Sequence, residues 1–151
     1  MQTRFRGWGI GMDDYEAIRR LIAIYGQLLD SKRFDDWGRL FCDDAVFRVW
    51  GKVHEGRAAI QREIGGMQPD APGKHVVLAP VIDLDADGVH ALVWTDLCAL
   101  ATGPDGILIA TIGRYHDRLR KEADGRWRFA ERVLVMGGEA VPADVADTPA
   151  Q

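Results

Sequence analysis

Five polar side chains stand in this sequence where their neighbours lead one to expect core. Tyr25 lies on an apolar stripe formed by Ile18, Leu21, Ile22, Leu28 and Leu29. Asp30 follows Leu28-Leu29 directly, and His75 precedes Val76-Val77-Leu78. Asp96 sits between Trp94-Thr95 and Leu97-Cys98, and Arg132 runs into Val133-Leu134-Val135. A carboxylate or guanidinium in such a run is either paired or costly. Singly, each has a plain structural role: a core tyrosine with a satisfied hydroxyl, a helix-end aspartate, a strand-start histidine, an Asp96–Arg132 ion pair. Together, converging on one cavity, they are candidate catalytic groups, because titratable residues held out of water gather at functional sites.

Other apparent motifs fall short. Asp83-Leu84-Asp85-Ala86-Asp87-Gly88 copies the opening of a calcium-binding loop, but its twelfth position, which needs a bidentate Glu, is Trp94. A solvated hairpin turn is the better reading. Gly7, Gly9 and Gly11 follow no strand and make no dinucleotide fingerprint. His54-Glu55 has Ala58 where a zinc helix would place its second histidine, and the four histidines show no ligand spacing. No metal or organic cofactor is expected.

The elements that must position the five residues follow from periodicity. Acidic Asp13-Asp14 opens a helix running from residue 12 to Asp30, with apolar residues three and four apart. A second short helix is expected over 34–41, a strand over 45–50 and a third helix over 58–65. Gly65-Gly66, Pro69 and Pro72-Gly73 mark a loop. Strands then follow over 75–84, with an edge or bulge at Pro80, and over 89–101, 107–120 and 126–136. Residues 1–11 and 139–151 read as a loose arm and a loose tail around one domain, 12–138. Helices gathered before an antiparallel meander indicate an α+β fold, with long strands curling round the first helix to leave a cavity.

Composition bounds the rest. The chain has 151 residues, enough for one self-sufficient core. A net charge of −4 argues against nucleic-acid binding through phosphates. Cys42 and Cys98 cannot form a disulfide framework and read as reduced thiols. With no targeting signal near the N-terminus and no membrane span in the sequence, the cytoplasm is the expected location.

Ile22-Ala23-Ile24-Tyr25-Gly26-Gln27-Leu28-Leu29-Asp30, Trp37, Phe41-Cys42-Asp43-Asp44-Ala45, Gly56, Lys74-His75, Gly113-Arg114-Tyr115-His116-Asp117 and Gly125-Arg126-Trp127-Arg128-Phe129-Ala130-Glu131-Arg132 resemble the SnoaL-like branch of the nuclear transport factor 2-like superfamily. The resemblance spans about residues 12–137. It implies a cone of three helices on a strongly curved mixed sheet, usually paired into dimers through the sheet. The nearest subgroup holds bile-acid 7α-dehydratase, hexachlorocyclohexane dehydrochlorinase and scytalone dehydratase. It implies a catalytic dyad of Asp30 and His75, with Tyr25, Arg132 and Asp96 as further site residues. The dehydrochlorinase has a Lys at the Tyr25 position, which disfavours dehalogenation here.

The expected activity is therefore a cofactor-free lyase, a dehydratase or a related isomerase, acting on a hydrophobic ring, steroid-like or polyketide-like ketone or enoyl compound. Its apolar wall would draw on Phe47, Trp50, Leu78, Trp94 and Leu100. The competing expectation is a non-catalytic ligand-binding or assembly subunit of the same fold. Contact between Asp30 and His75 at a cavity separates the two. Strict alternation places Trp127, Phe129, Glu131 and Val133 on one face of the last strand and Arg128, Ala130, Arg132 and Leu134 on the other. With Arg132 facing the cavity, the Trp127-Phe129 face would need a cover, and a second copy of the chain is the simplest one.

Overall fold

The computed structural model describes residues 10–151. Of the expected arm, residues 1–9 lie outside that range, and residues 10 and 11 already belong to helix α1, Ile10–Asp30. Ile18, Leu21, Ile22, Tyr25 and Leu29 turn one buried stripe of α1 toward the sheet, as their spacing requires. The helix stops in a double-bonded C-cap. Arg33 N–H donates to the Leu28 carbonyl at 2.9 Å and Lys32 N–H to that of Leu29 at 3.1 Å, with Lys32 left-handed at φ 56°. That cap fixes Asp30 in the last helical turn.

Helix α2, Phe34–Gly38, is shorter than expected, and Phe41 opens a strand instead of closing the helix. Strand β1, Phe41–Val49, turns through Trp50-Gly51 into β2, Lys52–Glu55, which periodicity did not foresee. Helix α3, Arg57–Gly66, follows. The strand expected over 75–84 divides at Pro80 into β3, Gly73–Val77, and β4, Val81–Leu84, both antiparallel to β5, His90–Gly103. Proline has no N–H to give the ladder, so pairing breaks there. β6, Gly106–Lys121, and β7, Trp127–Met136, complete one sheet in the order β2-β1-β7-β6-β5-β3, with β4 beside β5. Among the described residues only the β1–β7 pair is parallel. The three helices pack on this curved, unclosed, mixed sheet in a cystatin-like α+β cone.

Strict alternation fails in β7. Arg118 pairs with Glu131 but Leu119 pairs with Phe129, so Ala130 is an extra residue, a bulge. Before it, Trp127 and Phe129 face inward; after it, Arg132 and Leu134 do. Phe129 joins the core with Tyr25 and Phe41. The Trp127-Phe129 face is thus covered by the protein's own α1, not by a second copy.

The segment expected as a loose tail is tied to the outer sheet face. The Ala146 carbonyl accepts from Trp94 Nε1 at 3.0 Å and lies 3.0 Å from His116 Nδ1. Arg48 holds Asp144, and Arg114 donates to Thr148. This strap buries Trp94 and His116 outside the core proper.

Asp14 ties the start of α1 to the far side of the sheet. One oxygen accepts from both Lys121 Nζ, at 2.8 Å, and Trp127 Nε1, at 2.9 Å. Burial alone would raise this carboxyl, but these bonds and the lysine charge outweigh it and hold it below the usual carboxylate range. A lowered native pKa means the unfolded chain takes the proton more readily. The stabilisation is therefore present above the unfolded value of about 3.9 and fades as pH falls through the native one. Asp14→Asn is expected to cost about 1–3 kcal/mol at neutral pH. Its deficit against the parent should narrow when denaturant melts are repeated below about pH 4; a deficit independent of pH would refute the assignment.

Candidate active site

Two elements and one glycine bring Asp30 and His75 together. Asp30 ends α1, His75 lies in β3, and Gly26 lets the two approach. A Cβ on Gly26 would stand 3.1 Å from the His75 carbonyl oxygen and 3.2 Å from its Cβ, so a larger residue would push β3 off the helix. At this distance Asp30 Oδ1 meets His75 Nδ1 at 2.6 Å, and Oδ2 accepts the His75 backbone N–H at 2.9 Å. Both carboxylate oxygens are engaged, so the carboxylate cannot swing away from the ring. An ionised Asp30 accepts a hydrogen bond from Nδ1–H, which leaves the lone pair on Nε2.

His75 lines a cavity of about 50 Å³ with Tyr25, Phe47, Trp50, Thr111 and Tyr115. Of the five apolar wall residues expected, Phe47 and Trp50 are there. Trp94, Leu100 and Leu78 are not. Trp94 and Leu100 share the parity of Asp96 on β5, opposite to the cavity-lining Leu97 and Ala99, and Leu78 is solvent-exposed beyond the end of β3.

The same parity removes Asp96. It projects outward and pairs with Arg114, at 2.6 and 3.2 Å, which lowers its pKa. It touches neither Tyr25 nor Arg132. The partner of Arg132 is Asp117, directly across on β6: Nε donates to Oδ1 at 2.8 Å and Nη2 to Oδ2 at 2.7 Å. Both side chains are almost wholly out of solvent, at 1% and 0% exposure. Sequence reasoning missed Asp117 because the bulge at Ala130 shifts which β6 residue faces Arg132. Its parity with Tyr115 and Leu119 along β6 was the available signal.

The guanidinium is also stacked among rings. Its Cζ lies 3.7 Å from the Tyr115 centroid, 4.0 Å from that of Phe129 and 4.1 Å from that of Tyr25. Burial lowers the guanidinium's pKa, the Asp117 carboxylate raises it by more, and the net direction is upward, so the cation persists. Among the described residues Arg132 Nη1 has no hydrogen-bond partner. Burial also pushes up the phenols of Tyr25 and Tyr115, against an opposing pull from Arg132. Both are neutral hydroxyls at neutral pH, able to donate. Tyr115 is the second residue that sequence reasoning did not select.

Among the described residues one trio offers metal-ligand geometry, Asp85, Asp87 and His90, all exposed in the β4–β5 turn. Asp87 already accepts from the Val89 and His90 amides and contacts the His90 ring, as a solvated turn would. None of the three lines the cavity.

Comparison with known proteins follows the same outline. The sequence profile of a SnoaL-like domain matches residues 11–133. No curated protein matches. Among solved structures, a protein of unknown function from Mycobacterium tuberculosis superposes with a TM-score of 0.77 at 25% identity, covering 88% of this chain and 80% of its own. A scytalone-dehydratase-like protein from Novosphingobium aromaticivorans gives 0.72 at 22% identity, over 94% and 92%. The β subunit of an aromatic-ring-hydroxylating-dioxygenase-like protein from the same organism gives 0.73 at 21% identity, over 89% and 96%. The last two likenesses show the fold.

Breaking the buried pair on one side leaves the other charge stranded. Arg132→Met or Asp117→Asn is expected to destabilise the protein by about 3–5 kcal/mol, and the double variant Arg132→Met/Asp117→Leu by less than either. Denaturant melts of the three variants decide; additive losses would mean the two side chains do not act as a pair.

Proposed function

This chain belongs to the SnoaL-like domain family, and we propose that it is a cofactor-free lyase that removes water from a β-hydroxy carbonyl compound. Proton transfer without loss of water, as in an isomerase, is the second choice. The observation that carries the reading is the 2.6 Å contact of Asp30 with His75 at the wall of a cavity. A subunit whose only task was assembly would have no use for an oriented imidazole facing an apolar hollow.

The chemistry distributes as follows. His75 Nε2 takes the proton next to the carbonyl, and Asp30 stabilises the imidazolium that forms. The carbon–oxygen bond at the β position breaks, a carbon–carbon double bond forms, and the hydroxyl leaves as water with a proton from a neighbouring donor. Tyr25 and Tyr115 are the neutral donors on the wall, one for the leaving hydroxyl and one for the enolate oxygen. Arg132 acts through them, its fixed charge favouring negative charge on the substrate side of the rings. Electrons and protons balance within the substrate and these side chains, so the reading calls for no metal and no organic cofactor. Activity that returned only on adding a metal after chelation would contradict it.

Self-association belongs to the same reading. Val76, Ile109 and Ile112 alternate away from the cavity and stand 42%, 65% and 59% exposed on the part of the outer face that the strap leaves open. A second copy covers this apolar strip, giving a homodimer. Light scattering should return twice the chain mass at micromolar protein, and Ile112→Asp should return one. A monomeric parent would refute the dimer.

The site is tested by screening hydroxy-steroids, β-hydroxy ketones and polyketide fragments for a loss of water by mass. On the substrate found, His75→Ala should lower turnover by roughly 10²–10⁴-fold. Asp30→Asn should keep the fold yet lose much of that factor, because an amide can hold the imidazole in the wrong tautomer. Tyr25→Phe should cost less than either. If His75→Ala and Asp30→Asn both stayed within about threefold of the parent, the pair would be structural and the reading would fall.

A further inference from the structure

Trp50 has a backbone that its side chain does not favour. It is the first of two turn residues between Val49 and Lys52, with φ 50°, and Gly51 follows at φ 70°. Positive φ at both positions is the hairpin turn usually built from Asn-Gly or Gly-Gly; a bulky aromatic at the first position is an outlier. Such strain persists where the side chain serves a site. The indole does not stabilise the core in return: Trp50 is 56% exposed.

Its position explains the placement. Trp50, Val49 and Leu134 line the dyad cavity and also an open groove of about 270 Å³. That groove runs over the rim of the sheet between the β1–β2 turn and the segment after β7, along Val53, Val133, Val135 and Pro142. The cavity itself, about 50 Å³, is far below the roughly 300–1,000 Å³ of a site that encloses a whole drug-sized ligand. The cavity alone does not enclose a fused ring system.

We propose that the groove is the second half of the substrate site, and that the substrate is an extended molecule. Its short reacting end enters the dyad cavity, its apolar tail lies in the groove, and the Trp50 indole packs on the joint between them. This rests on the reading of Asp30 and His75 as a dyad, but its test separates the two. Apart from Arg48, Lys52 and Glu139 the groove lining is apolar, and Arg48 is already held by Glu131 and Asp144, so an alkyl or alkenyl tail suits it.

Two ketone series test it. The first is β-hydroxypropyl alkyl ketones, with the alkyl chain lengthened from methyl to nonyl, followed for loss of water. The second is the matching propyl alkyl ketones, which lack the hydroxyl and cannot react, measured by calorimetric titration. Binding of the inert series should tighten with chain length, by up to roughly fourfold for each methylene the groove buries. Trp50→Asn suits the turn and should raise Tm, yet it should flatten that dependence in both binding and KM. Length-dependent binding lost in Trp50→Asn, with no turnover of the first series, would keep the groove and remove the dyad reading. Turnover with no length dependence would do the reverse. Binding equal in parent and variant, or no binding of any inert ketone, overturns the proposal.

Discussion

A guanidinium with almost no solvent around it constrains everything near the centre of this protein. Arg132 is bound in-plane by Asp117 and closed above and below by Tyr115, Phe129 and Tyr25. Leaving either charge alone at this depth would cost more than most single contacts return. The pair therefore dictates the register of β6 on β7, and the rings dictate where α1 may lie. Tyr25, as part of that enclosure, is pinned five residues before Asp30 on the same helix. The position of the Asp30–His75 pair is in this way inherited from the ion pair.

From there the geometry propagates through backbone. The C-cap at Lys32 stops α1 at Asp30, so Asp30 faces β3 and not solvent. Gly26, lacking a side chain, lets His75 come close enough for both oxygens of Asp30 to be used. Pro80 interrupts pairing so that β3 and β4 can meet β5 separately, which frees β3 to lean on the helix. Each step is local, and each depends on a residue type with a specific backbone consequence.

Much of this was legible in the sequence. The α1 stripe, the turn at Asp85–Gly88 and the three long strands follow from period and from turn chemistry, and Tyr25, Asp30, His75 and Arg132 were visible as polar residues in apolar runs. Asp96 was visible in the same way but for a different reason: it is an outward residue paired with Arg114. Parity from Arg132 alone could not select Asp117, because an inserted residue at Ala130 is invisible to a period-two count. Tyr115 hid for the opposite reason, as an aromatic in a strand is ordinary core. The short β2 was lost because four residues with one buried side chain carry no period. The strap over the outer face was lost because the Ala146 carbonyl that holds it leaves no mark in composition, and its side-chain ties, Asp144 to Arg48 and Thr148 to Arg114, join residues far apart in sequence.

The extra residue at Ala130 gives β7 two halves with opposite phase. Trp127 and Phe129 are inside by odd count, Arg132 and Leu134 by even count. Deleting Ala130 would remove the bulge and leave Arg132 facing inward, whereas pairing Ala130 regularly would turn every side chain beyond it over, so that Glu131 and Val133 faced the aromatic enclosure and Arg132 faced the strap. The facing of Arg132 thus hangs on one residue being left out of the ladder, and Asp117 has its guanidinium because Ala130 is that residue.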